Sequence, residues 1–230
     1  MQAGHAASLY RVSVRSLILV DPDQTAAFTA ATRIAADLAL RPEVEERWTD
    51  ESACAGMTVG ALARHLVSQW YNAVRLLSAP EGDAPISVWE HYQRAAWAHN
   101  ALDDEANTSI ARGSEELAAE GAGVMRALVA DLGPEVDAVL ATEREGSVLV
   151  PWQGWSLTAG DLLLTRMMEI VVHSDDLAAS IGVETPDFPT EVTEPVLALL
   201  TGLAARRHGA TALVRALTRP QRAPAPVTAF

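Results

Sequence analysis

The sequence predicts an all-α protein: an antiparallel bundle of four main helices with additional C-terminal helices and little strand. Three observations carry this. Apolar residues recur at three- and four-residue spacing over long stretches, capping residues and prolines fall at the ends of those stretches, and the links between them are short. Only "SVLVPWQGWSLT", residues 147–158, breaks the pattern, with β-branched residues, Pro151, Gly154 and two tryptophans. It reads as a short strand pair or an ordered loop.

Taken in order, "DPDQTAAFTAATRIAADLALRP" predicts a first helix over about 23–41, with Asp21 or Asp23 as cap and Pro42 as stop. After the irregular "EVEERWTDESACAGM", Thr58 caps a second helix that ends before Pro80. Its apolar face carries Leu62, Leu66 and Trp70, and beside it runs a polar strip of His65, Ser68, Gln69 and Asn72. "EGDAPIS" is a turn. From Val88 the pattern is helical up to Gly133 and Pro134, with a break expected near Asn107 to Ser109. Thr158 with Asp161 starts the next helix in the manner of a capping box, and Gly182 stops it. A helix with Pro195 in its first turns, a shorter one to Leu217 and a Pro-rich extended tail complete the chain. The expected division is an N-terminal arm over 1–20, a helical bundle over 21–182, and a helical extension over 183–230 packed on it, not a full second domain.

Composition narrows the function. The net charge of −13 repels phosphate backbones and anionic lipid, which argues against nucleic acid and membrane partners. All 17 basic residues are arginine, so neither a Walker-type lysine nor a Schiff base is available. The lone Cys54 cannot form an internal disulfide or a multi-cysteine zinc site, which fits a reducing cytoplasm. "SLILV" is too short for a secretory segment, and no apolar run approaches the roughly 20 residues of a membrane span. A soluble, cytoplasmic monomer or homodimer acting on small molecules is expected.

The most informative segment is "RMMEIVVHSDDLA", residues 166–178. Met167, Met168, Ile170, Val171, Val172 and Leu177 would cover most of a helix's circumference, leaving one strip with Arg166, Glu169, His173, Asp176 and Ser180. The strip faces either water or something that needs a carboxylate and an imidazole. Residues four apart project side by side, so Glu169 and His173 can grip one cation, with His65 as the natural third ligand. Such a His2Glu set with open positions is a catalytic divalent-metal pattern, with zinc first and nickel, iron or cobalt as alternatives. A solvated stripe and a hydrogen-bonded boundary histidine explain the same residues without a metal.

"WTDESACAGMTVGALARHLVSQ" followed by "WSLTAGDLLLTRMMEIVVHSDDLAASIG" resembles the mycothiol-dependent maleylpyruvate isomerase N-terminal domain, within the DinB-like group of metal-binding four-helix bundles. The ending "RRHGATALVRALTRPQRAPAPVTAF" is similar to that of actinobacterial members. The resemblance implies that His65, Glu169 and His173 are metal ligands and that mycothiol is the thiol co-substrate. In the isomerase a thiol adds to the substrate double bond near the metal, rotation follows, and the thiol leaves. A C-terminal domain there supplies an arginine; only 48 residues follow Gly182 here, so that domain is expected to be missing or reduced. Arg206 or Arg207 is a candidate to fold back in its place.

The function expected is a metal-dependent, thiol-activating S-transferase or cis-trans isomerase. The alternatives are a metal-dependent hydrolase using water and a non-catalytic bundle that binds a small ligand or partner. Arg166 is a candidate to pair with Glu169 or to recognise an anionic substrate, and Asp176 to orient a ligand. Gln69, Trp70, Asn72 and Trp155 are candidates to bind the thiol cofactor, with Trp70, Trp152 and Trp155 as candidate walls of an apolar pocket. Cys54 sits in a polar loop with no evident activating neighbour and is expected to be incidental. His91, His99 and His208 read as surface histidines.

Overall fold

A computed structural model describes residues 24–98, 105–142, 146–224 and 226–230. The expected arm, the capping residues Asp21 and Asp23, and His99 lie outside them. The described chain is helical apart from one hairpin. Its helices are α1 (Thr25–Ala39), the short α2 (Pro42–Glu46), α3 (Val59–Leu77), α4 (Val88–Arg94), α5 (Glu105–Ala118), α6 (Ala122–Leu140), α7 (Ala159–Ile181), α8 (Thr190–His208) and α9 (Ala210–Thr218). Strands β1 (Ser147–Val150) and β2 (Trp155–Thr158) lie between α6 and α7.

Helices α1, α7, α3 and α6 go round the bundle in that spatial order, each packing on the next. Their buried faces follow helical spacing: Ala27, Phe28, Ala31, Ala35 and Leu38 on α1, and Leu62, Leu66 and Trp70 on α3. On α7, Met167, Met168 and Ile170 are almost wholly buried, Glu169 and His173 are partly open, and Asp175 on a neighbouring face is exposed. Helix α5 lies along α3, and α8 packs on α7 and α1.

The caps fall where the side chains put them. Thr58 Oγ1 accepts from Ala61 N at 3.1 Å, and Thr158 Oγ1 from Asp161 N at 3.0 Å. Glu115 of α5 reaches the same end of α3, accepting from Thr58 N at 2.7 Å and Thr58 Oγ1 at 3.1 Å. A carboxylate there also opposes the positive end of the α3 dipole. Thr158 is both the last residue of β2 and the cap of α7, so the hairpin sets where the helix that carries Glu169 and His173 begins. Gly182, at φ +71°, closes it. The strand-pair alternative for residues 147–158 is the one realised: β1 and β2 pair antiparallel from Ser147 opposite Thr158 to Val150 opposite Trp155.

Two expected breaks move. Asn107 to Ser109 lie inside α5, two residues past its start, where Thr108 Oγ1 donates to the Glu105 carbonyl at 3.2 Å. The helical run ends instead at Arg94, where α4 stops, and again before Gly121, which lies between α5 and α6 with a φ of +92° that is open to glycine and strained for other residues. Nor does Gly133-Pro134 stop α6, which runs on to Leu140. The carbonyl that Pro134 deprives of a partner belongs to exposed Ala130, which leaves it open to solvent, while buried Leu132 and Val136 hold the helix on both sides. No helix among the described residues is long and apolar enough to cross a membrane.

Candidate metal centre and its pocket

The helix pair α3/α7 brings His65, Glu169 and His173 together, with one ligand atom of each lying within 4.8 Å of the others. Around a zinc-sized cation with bonds of about 2 Å, neighbouring donors stand about 3.3 Å apart. The cluster therefore closes on such an ion with small side-chain shifts. Two imidazoles and a carboxylate also suit a divalent first-row metal, and the set fits the group.

Hydrogen bonds prepare the donors. Ser114 Oγ spends its proton on the Ile110 carbonyl at 2.9 Å, so its 3.4 Å contact with His65 Nδ1 has the ring as donor. That leaves the lone pair on His65 Nε2. Gln69 agrees: Arg166 Nη1 donates to its Oε1 at 2.7 Å, which fixes the amide so that its Nε2 faces the His65 carbonyl at 2.9 Å and His65 Nε2 at 3.2 Å. Burial, helped by the charges of His173 and Arg166 and opposed by Glu169, pushes His65 down to about 4 and keeps it neutral, as a metal ligand must be.

His173 stands between two carboxylates. Its Nδ1 is 3.0 Å from Asp176 Oδ2 and its Nε2 is 3.2 Å from Glu169 Oε2. Burial alone would lower its pKa, but these partners outweigh it and raise the imidazole above its ordinary range, so a metal bound at Nε2 would displace the proton that His173 shares with Glu169. Burial likewise works against the Glu169 carboxylate, yet the hydrogen bond from His173 and the charges of Arg166 and both histidines hold it well below the usual range. Asp176 thus orients His173 as a hydrogen-bonded carboxylate orients a metal-bound imidazole. The rings of His65 and His173 meet edge to face, with centroids 4.7 Å apart.

The cluster opens on a cavity of about 730 Å³, a size that suits a small-molecule ligand. Gln69, Asn72 and Arg166 supply polar wall, and Met57, Ile110 and Trp152 apolar wall. Of the options for Arg166, the structure realises contact with Gln69 and the cavity, not an ion pair with Glu169. Trp70 does not line this cavity: it is 1% exposed, in the core among the bundle helices. Trp155 does not line the cavity either, and it serves by holding His91. Arg206 and Arg207 do not fold back to the metal cluster. They border a separate cavity of about 360 Å³ with Trp89 and Phe230, and the Arg206 guanidinium lies 4.4 Å from the Trp89 ring centroid.

Two residues escaped the sequence reading. His91 is not a surface histidine: it is 3% exposed, lines the cavity, and its Nδ1 accepts from Trp155 Nε1 at 3.1 Å. Helix α4, seven residues long, is too short for periodicity to show which face is buried. Cys54 does have histidine and carboxylate neighbours, since its sulfur lies within 4.8 Å of donor atoms of His173 and Asp176. Burial and the charges of Asp176 and Glu169 push the thiol up, so it is less ionised than a free cysteine. His208 is exposed, as expected, with Nε2 2.9 Å from the Thr228 carbonyl.

With this geometry in place, the comparisons with known proteins divide sharply. The family described as "mycothiol maleylpyruvate isomerase N-terminal domain" matches over residues 28–178. No curated protein and no solved structure matches the chain.

Proposed function

The chain belongs to the mycothiol maleylpyruvate isomerase N-terminal domain family, and from that premise we propose that it is a divalent-metal-dependent enzyme that activates a low-molecular-weight thiol, mycothiol, for transfer to or isomerisation of a small electrophilic substrate. The observation that carries this reading is the meeting of His65, Glu169 and His173 at the wall of a cavity large enough for a small substrate. These three residues would hold the metal, with zinc the best match to the donor set. When bound, a divalent cation supplies Lewis acidity that favours the ionised form of a thiol near neutral pH.

The chain's own residues do the rest. Asp176 takes the His173 Nδ1 proton in a hydrogen bond and fixes the ring. Gln69 links Arg166 to His65, so the guanidinium charge stays at the cavity wall. Met57, Ile110 and Trp152 supply apolar wall against which the carbon skeleton of a small substrate would pack. Cys54, with its raised pKa, is a poor nucleophile, which supports a thiol supplied from outside the chain.

The test is consumption of a free thiol by the zinc-loaded protein in the presence of small unsaturated carbonyl compounds, monitored by thiol titration. Turnover with mycothiol that is lost in Glu169→Ala supports the reading. Zinc-loaded protein that hydrolyses a substrate equally well without any thiol contradicts it and favours water as nucleophile.

A further inference from the structure

The cavity contains a proton-bearing group that the metal cluster does not use. We infer that His91 is a catalytic residue whose Nε2–H donates to the substrate oxygen on which negative charge gathers when a thiol adds to a carbonyl-conjugated double bond. The inference rests on the thiol-addition reading above and adds to it the group that receives the displaced charge.

The tautomer follows from chemistry. An indole nitrogen only donates, so the 3.1 Å bond from Trp155 Nε1 requires a lone pair on His91 Nδ1. A neutral His91 therefore carries its proton on Nε2. Burial, with the nearby Arg166 charge, pushes His91 down to about 4 against a weaker pull from Glu169, so the ring is neutral at physiological pH. Nε2 has no hydrogen-bond partner among the described residues, and it is not sealed from solvent either. His91 lines the cavity that the metal cluster opens on, and that is where the free N–H has room to work. A histidine serving only the core would have both nitrogens bonded or enclosed.

The support behind the ring is rigid. Trp155 sits on β2, is hydrogen-bonded at its indole to His91, and has the Arg94 guanidinium 5.7 Å from its ring centroid. His91 also meets Tyr92 edge to face, with centroids 5.0 Å apart. A donor held in place before the reaction is the arrangement that stabilises a developing oxyanion.

The electron flow needs no further reagent. A sulfur lone pair forms the S–C bond, the C=C pair shifts to the adjacent C–C bond, and the carbonyl pair moves onto oxygen, where His91 Nε2–H meets it. The new C–C single bond rotates, and reversal of each shift expels the thiolate. His91 keeps its proton throughout.

The test uses the full-length protein as purified, with its zinc content measured, uniformly labelled with nitrogen-15 and titrated with 4-nitrophenolate as a planar oxyanion probe. Long-range nitrogen–proton correlation at neutral pH is expected to find His91 as the Nε2–H tautomer and to show its proton shifting saturably with the probe. His91→Leu is expected to weaken the probe by about tenfold. His91→Gln, whose Oε1 can accept from Trp155 while its amide donates, is expected to restore most of that loss. An Nδ1–H tautomer, an imidazolium, no saturable shift, or unweakened binding in His91→Leu overturns the inference; should His91→Leu misfold, the tautomer and the proton shift in the parent decide. Repeating the titration after chelation separates the two readings. A protein that never held zinc but shows the His91 shift contradicts the metal reading alone.

Discussion

His173 shows how much one side chain's surroundings decide. It reaches Glu169 with one nitrogen and Asp176 with the other, so the ring cannot turn without losing a charged hydrogen bond. Asp176→Ala removes the partner that fixes Nδ1, and zinc affinity is expected to fall by about 10- to 100-fold in a competition titration while the fold stays intact. Unchanged affinity would mean that Glu169 and the helix suffice to hold the ring. His91 makes a pH prediction of definite sign. Its folded-state value of about 4 lies below the ordinary 6.5, so on acidification the unfolded chain takes up this proton first. The stability contribution is therefore complete above 6.5 and is lost as pH falls from 6.5 toward 4, by about 3 kcal/mol. Denaturant unfolding at those two pH values should show a smaller loss in His91→Gln than in the parent, and parallel losses would contradict the assignment.

At the scale of elements, a tryptophan seated on a glycine sets the spacing beside α3. Trp48 donates its indole N–H to the Ala118 carbonyl at 3.1 Å, and its ring covers Gly60, where an added Cβ would lie 2.5 Å from Trp48 Cε2. Alanine in a helix interior normally gains about 1 kcal/mol over glycine. At Gly60 that gain is outweighed by an overpacking cost of about 1–3 kcal/mol, so Gly60→Ala should lower the melting temperature. Gly113→Ala in α5, with nothing within 4 Å of the new methyl, should raise it. Opposite signs at the two positions are the prediction, and a rise at both would mean that Trp48 yields without cost. The sequence makes α1, α3 and α7 legible, because each has an apolar face at helical spacing and α3 and α7 carry a capping threonine. The breaks in α5 and α6 were not legible: Asn107 to Ser109 suit a first turn as well as a break, and Pro134 is tolerated because its orphaned carbonyl faces water.

The whole molecule is a bundle in which two helices far apart in sequence, α3 and α7, meet to make the candidate site. Glu169 and His173 could be read from one helix because four-residue spacing alone places them side by side, and His65 from the polar strip of another. His91, Trp155 and Cys54 could not, since a short helix, a hairpin and a loop bring them to the cavity with no periodic signature. The same limit applies to Trp70: aromatic character says nothing about which side of a bundle helix faces a cavity, and here the ring faces the core. Whether the cluster on α3 and α7 holds a metal is decided most directly by elemental analysis of the parent beside a Glu169→Ala, His173→Ala variant that circular dichroism shows to be folded. About one equivalent of zinc in the parent, absent from the variant, is the expected result. Equal metal content in both, or none in either after incubation with zinc or nickel, would contradict it and make the strip from Arg166 to Ser180 an ordinary polar face of the bundle.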